Sequence, residues 1–399
     1  MTIYFTVPKR FTAVLALSLG LTACGGSWWD DTDEPKLQTE HIKKLIPTRV
    51  KNRESWAQDM FDISQELDIP TTKQNVCTMV AVVDQESNFV ADPSVSGLGE
   101  KAVREVQDRL EEKFSDKLGD TLGVTVAQYF QEVLRNQPTP EDNYLSQMRK
   151  VKTERELDEL YREIFDHMAK HYHVSALTGA AKLVGQNFSE KLNPITTLGS
   201  MQVHISYAEE HKRKSGNMAD LRTDLYTQYG GLYYGIHRLM MYPADYDKPI
   251  YRFADYNSGM YSSRNAAFQS MLNRLTQVEL SLDGDLLLYS KDGNPKATRS
   301  QTEQELVRVF AMNNVLLTPR QIRADLKKEK QLKFEDTATY QEVLKLYEEK
   351  TGKKPMYAIM PEVVISGPKL SRDYNTNWFA SRVNSRYETC MKKAKNIKL

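Results

Sequence analysis

Apolar residues recur at three- and four-residue steps through most of the chain, which is the mark of amphipathic helices rather than strands. From His41 to Leu67 this spacing predicts one or two helices with a break, ended by Asp68, Ile69 and Pro70. Thr71 and Thr72 are candidate caps for a helix from about Lys73 to Asn88, whose Val76, Met79, Val80 and Val83 make one apolar stripe. Continuing that rotation puts Glu86 at the stripe's edge, and Asp92, Pro93, Ser94, Gly97 and Gly99 then predict a loop. Charged residues are dense from about Glu100 to Phe188, with apolar positions at helical spacing (Val103, Val106, Leu110; Leu157, Leu160, Ile164, Phe165, Met168), so this stretch reads as all-helical up to Asn193 and Pro194.

A further helical region is predicted from about Val203 to Leu239. Beyond Leu280 the pattern changes: Leu286 to Tyr289 and Val363 to Ile365 read as short strands, with a turn at Asp292 and Gly293. Helices are expected near Gln304 to Phe310, Pro319 to Lys327 and Tyr340 to Lys350, and a last one from about Asn377 to Lys393 carries Cys390.

The first residues bear on compartment. Lys9 and Arg10 precede an apolar run, Phe11 to Leu21, that is too short to span a bilayer and has the build of a secretory signal. Leu21, Thr22, Ala23 and Cys24 match the bacterial lipobox, which implies a signal peptide over 1–23 and acylation of Cys24. An ordinary signal peptide cut nearby is the plainer alternative. Gly25 after the cysteine, instead of Asp, resembles the outer-membrane sorting choice, and residues 24–40 read as a tether whose Trp28 and Trp29 could rest at the interface. The expected location is therefore the periplasmic side of the outer membrane.

With Lys plus Arg at 54 against 53 for Asp plus Glu, the chain has no global field for steering nucleic acid. Cys77 and Cys390 could pair in an oxidising compartment, or stay separate buried thiols. His167, His171 and His173 cluster with Glu163 and Asp166, but a solvated helix face explains them more simply than a metal site, and no metal or cofactor is expected. Lys327, Lys328 and Lys330 likewise read as a solvated helix end.

Three short runs carry candidate chemistry: Gln85-Glu86-Ser87-Asn88-Phe89, Gly199-Ser200-Met201-Gln202-Val203 and Asp255-Tyr256-Asn257-Ser258-Gly259. In this order they resemble the soluble lytic transglycosylases and goose-type lysozymes, and the stretch Gly230 to Gly235 falls where such domains carry a glycine and aliphatic helix. The whole is most similar to an uncharacterised family of transglycosylase-like lipoproteins of Gram-negative bacteria. The recognisable part covers about Val76 to Phe89 and Leu198 to Phe268, and residues of about 97–195 intervene where family members bring the second run in soon after the first.

The resemblance implies a mainly α fold: a lysozyme-like domain over 41–275 with a helical insertion at about 97–195, then a mixed helix and strand region over 276–399. It implies cleavage of the bond between N-acetylmuramic acid and N-acetylglucosamine in peptidoglycan, with Glu86 as acid and then base and a 1,6-anhydro product. Ser87 would support Glu86, Gly199, Met201 and Gln202 would line the cleft, and Tyr256 and Asn257 would orient the acid or the sugar. Core packing is the plainer reading of Met201 and Tyr256, whereas a polar amide has less reason to be buried at Gln202 and Asn257. The chemistry itself favours Glu86: a leaving oxygen must be protonated near neutral pH, and an apolar wall keeps a carboxyl in its acid form. Asp84 and Asp255, the nearest second carboxylates, are expected to be structural. A non-catalytic lipoprotein holding glycan or a cell-wall protein in the same cleft, and a hydrolase of goose-lysozyme type, are the competing readings.

Overall fold

The computed structural model describes residues 34–171, 193–276, 278–290, 293–365 and 374–398. The signal call and the tether up to residue 33, with Cys24, Trp28 and Trp29, lie outside these residues, as do His173, Asp292 and the Leu110 side chain; the end of the expected tether is instead part of the fold, since Leu37 is fully buried and a helix begins at Thr39. The described chain is mainly α. Helices α1 (Thr39–Leu45), α2 (Arg53–Glu66) and α3 (Lys73–Glu86) precede the insertion helices α4 (Leu98–Leu118), α5 (Asp120–Asn136), α6 (Tyr144–Lys150) and α7 (Glu154–His171). A two-stranded hairpin, β1 (Thr197–Leu198) and β2 (Val203–His204), leads into α8 (Ile205–Glu210), α9 (Met218–Leu225), α10 (Gln228–Met240), α11 (Pro249–Ser258) and α12 (Ser262–Leu275). Helices α13 (Gln301–Met312), α14 (Pro319–Leu326) and α15 (Ala338–Thr351) follow; β3 (Val364–Ile365) then pairs antiparallel with β4 (Tyr374–Asn375) ahead of the last helix, α16 (Thr376–Ala394).

Helix α3 starts as its sequence dictates: the Thr72 hydroxyl accepts from the Asn75 amide at 3.1 Å, satisfying a free donor of the first turn. It does not present a single apolar stripe. Every residue from Asn75 to Asp84 is buried, because α1, α10 and α16 pack around it, and a helix enclosed on all sides is the centre of its core. That first core joins α1–α3, the hairpin, α8–α11 and α16. A second core belongs to the insertion, from Leu98 to Met168, and a third gathers Phe268 to Leu346.

Two expectations are corrected here. Leu286 to Tyr289 form no strand; Leu286 and Leu287 are buried in the third core, and only Tyr289 makes an isolated bridge, to Pro295. Nor do residues 276–399 form one region, since Phe379, Ala380, Val383, Cys390 and Ala394 of α16 return to the first core. The insertion is fastened to the body by charge. Asp158 of α7, fully buried, pairs with the buried Arg222 of α9 and with Arg162 at 3.3 Å, and accepts from Asn193 Nδ2 at 2.6 Å. Arg222 also donates to the Ile195 carbonyl at 3.0 Å. Burial pushes the Asp158 carboxyl up, and the two arginines pull it back towards ionisation.

Candidate functional site

Glu86 is the last residue of α3 and is half-buried. Ser87 caps the helix, its amide and hydroxyl both returning to the Val83 carbonyl, at 3.1 and 3.3 Å. The chain then takes two consecutive residues through the left-handed region, Asn88 at φ 52° and Phe89 at φ 61°. Asn tolerates that conformation, but a bulky residue does so only when its surroundings force it. Phe89 is held by burial and by an edge-to-face contact with Trp56 at 5.3 Å. Arg49 reaches Asn88 Oδ1 at 3.4 Å and pairs with Asp84, which also meets Arg386 of α16 at 3.2 Å. Asp84 is thus bound on both sides and serves to fix the helix end.

The second run is the hairpin's turn. Gly199 sits at φ 76°, where a Cβ would lie 2.3 Å from the Leu225 carbonyl oxygen, so a side chain is excluded by both backbone and space. The turn lies against α10, whose Gly231 and Gly235 are one helical turn apart: a Cβ on Gly231 would be 2.9 Å from the Ser200 nitrogen, and one on Gly235 would be 2.2 Å from Met201 Sδ. The glycine helix therefore exists so that the turn can approach it. Met201 is completely buried as a result.

The third run closes the arrangement. Tyr256 of α11 is buried and donates its hydroxyl to the Met201 carbonyl at 2.7 Å. Burial pushes that hydroxyl well up; the Arg238 guanidinium lowers it, and the Glu86 carboxylate raises it again. Tyr256 thus lies in the electrostatic reach of Glu86 while bonded to the hairpin, and the three runs, far apart in the chain, converge. Asn257 beside it is half-buried, with an Oδ1 that is shielded from solvent and has no hydrogen-bond partner. Asp255 is fully buried and accepts from the hydroxyls of Tyr242, Tyr246 and Ser262 and from the amides of Tyr261 and Ser263. It is a structural hub that starts α12.

The expected roles shift accordingly. Gly199, Met201 and Tyr256 are buried supports and do not line a cleft with their side chains. The Gln202 amide, expected to meet substrate, donates instead to Glu154 at 3.1 Å and to the Gly199 carbonyl at 3.2 Å and accepts from Thr197 at 3.2 Å, because its own φ of 52° folds it back over the turn. Glu86 and Asn257 remain at partly exposed positions, although the Asn257 Oδ1 is itself shielded. Sequence reasoning missed Arg238 on α10, which donates to the Tyr256 carbonyl at 3.0 Å and lies over the Tyr256 and Tyr207 rings at 5.3 and 5.9 Å. The signal was present: Arg238 falls one turn beyond Gly235, on the helix that faces the hairpin.

Cys77 and Cys390 form a disulfide that bolts α16 to α3, with the Cα atoms 5.4 Å apart. Among the described residues no group of three or more His, Cys, Asp and Glu is arranged to hold a metal, and no helix is long and apolar enough to cross a membrane.

Residues 49–393 match the family described as protein of unknown function DUF1615. The chain belongs to that family. The DUF1615 match takes in all three runs, the insertion, both cysteines and nearly all of α16; it includes the second and third cores whole, while the first core also draws on Leu37, Ile42, Leu45 and Ile46 ahead of it. The Escherichia coli (strain K12) protein described as "Uncharacterized protein YaiW" is 34% identical over 353 residues, which cover 88% of this chain and 88% of that protein. No solved structure matches the chain.

Proposed function

We propose that the protein is a peptidoglycan lytic transglycosylase, anchored through lipid on Cys24 to the outer membrane and facing the periplasm. The observation that carries this reading is the convergence of the three runs around Tyr256, which bonds Met201 and feels the charge of Glu86. Glu86 ends a buried helix at a partly exposed position, so its carboxyl is anchored by the core yet able to reach a bound sugar, as a general acid must. In the reaction, the Glu86 carboxyl gives its proton to the glycosidic oxygen as the bond to the muramic acid anomeric carbon breaks. The carboxylate left behind then takes a proton from the same sugar's 6-hydroxyl as that oxygen closes on the anomeric carbon, giving the anhydro ring without consuming water. The disulfide suits an oxidising compartment, as the lipobox does.

One observation favours a non-catalytic, glycan-holding protein: Met201 and Gln202, expected to line the cleft, are committed within the fold. The deciding experiment incubates the purified protein with peptidoglycan sacculi and analyses the soluble products by mass spectrometry, beside Glu86→Gln. Anhydro-muropeptides that fall by about 10²- to 10⁴-fold in the variant are expected for loss of a general acid. Reducing-end products would assign a hydrolase, and sacculi bound but uncut would leave the binding protein.

A further inference from the structure

Arginines on this side of the molecule are mostly neutralised. Arg213 meets Asp224 through two nitrogens, with Nε at 2.8 Å, and Arg222 is paired with Asp158. Arg238 differs. It is half-buried, and its one hydrogen bond goes to a backbone carbonyl, that of Tyr256; no carboxylate among the described residues lies within ion-pair distance of it. Most of its five donors are unused, and the rings of Tyr207 and Tyr256 hold the guanidinium plane in place. A cation fixed in this way, with part of its hydration removed, is built to take an anion.

The surroundings narrow the choice. The Tyr207 hydroxyl is hydrogen-bonded to His237 Nδ1 at 2.7 Å and its ring stacks on His211 at 4.3 Å, so aromatic and imidazole rings adjoin Arg238 along α8 and α10. Burial holds the His237 ring neutral, which leaves Arg238 as the fixed charge beside these rings. On its inner side Arg238 adjoins Tyr256, the residue that Glu86 also acts upon. Arg238 and Glu86 thus act on the same tyrosine from two different elements.

We propose that Arg238 is a carboxylate-binding subsite that holds the peptide arm of a peptidoglycan glycan strand, with the Tyr207 and Tyr256 rings fixing the guanidinium. This rests on the peptidoglycan reading of the Glu86 site. The muramic acid lactyl group carries a peptide with free carboxylates, and a planar guanidinium matches a carboxylate in two-point geometry. Glycan that carries peptides would then be preferred over bare glycan.

Binding, rather than cleavage, is the test. The full chain purified in detergent is titrated calorimetrically with a disaccharide-peptide fragment, with the same disaccharide lacking its peptide, and with the free peptide. The disaccharide-peptide is expected to bind at least roughly tenfold more tightly than the bare disaccharide, as befits one charge-assisted contact. Arg238→Gln should bring the two level, and Arg238→Lys, which keeps the charge but not the fork, should keep part of the gap. Thermal melts of both variants establish that they are folded. Equal affinities in the unaltered protein, no binding of either fragment, or a gap that survives Arg238→Gln would overturn the proposal, as would free peptide binding as tightly as the disaccharide-peptide. Failure of the transglycosylase reading shows separately, as absence of anhydro products from sacculi while the affinity gap persists.

Discussion

His237 illustrates how a single side chain is tuned by what encloses it. Burial first, and then the nearby His211, push its imidazole down from 6.5 to about 4. The Tyr207 hydroxyl is bonded to Nδ1 at 2.7 Å, which partners that nitrogen inside the fold. The Tyr233 ring lies 6.2 Å from the imidazole, centroid to centroid. The folded state therefore binds this proton less readily than the unfolded chain. The contribution to stability is complete above pH 6.5 and is lost progressively as pH falls towards 4, where the unfolded state is already protonated. Melting temperature measured across that window should fall less steeply for His237→Gln than for the unaltered protein; parallel curves would mean that His237 does not titrate as its surroundings require. Little of this was legible in the sequence, where His237 is one histidine beside an arginine. Gln202 shows the converse: a polar residue in a glycine-flanked turn suggested substrate contact, and only the left-handed φ and the proximity of Glu154 show its amide bonded inward.

Elements were legible in proportion to their length. The last helix was expected from about Asn377 to Lys393 and runs from Thr376 to Ala394, because nineteen residues give several repeats of the helical period. A two-residue strand gives none, so β1 was left without an element and β2 fell at the start of a helical expectation. The apolar run at Leu286 was read as a strand because buried runs of either kind look alike over four residues. What periodicity could not show is which faces meet. Helices α3 and α16 are joined by the Cys77–Cys390 disulfide and, two turns further along α3, by Asp84 with Arg386. Because the disulfide closes nearly the whole chain into a loop, Cys390→Ala with Cys77→Ala should destabilise the fold by about 2–5 kcal/mol. Urea unfolding of the unaltered protein with and without reductant gives the same comparison. A midpoint that does not move would assign the attachment of α16 to packing and the Asp84 cluster alone.

At the scale of the molecule, the chain leaves its first core twice and comes back to it. It departs after α3 into the insertion and returns at the hairpin, then departs after α11 into the third core, which α12 opens, and returns with α16. The helix that ends in Glu86 is therefore enclosed by segments separated by more than three hundred positions, as the 313-residue span of the disulfide records. Such a core cannot be completed until the end of the chain has been made, whereas the third core, from Phe268 to Leu346, needs nothing beyond α15. Removing residues 366–399 should consequently separate the two. Helical content from the third core should remain in far-ultraviolet circular dichroism, while Trp56, buried to 3% exposure in the first core, becomes open to acrylamide quenching. If Trp56 stays protected, the first core folds without α16, and the last helix is a strut laid on a finished surface. If both signals collapse together, the third core depends on the first despite sharing few residues with it, and the molecule folds as one cooperative unit.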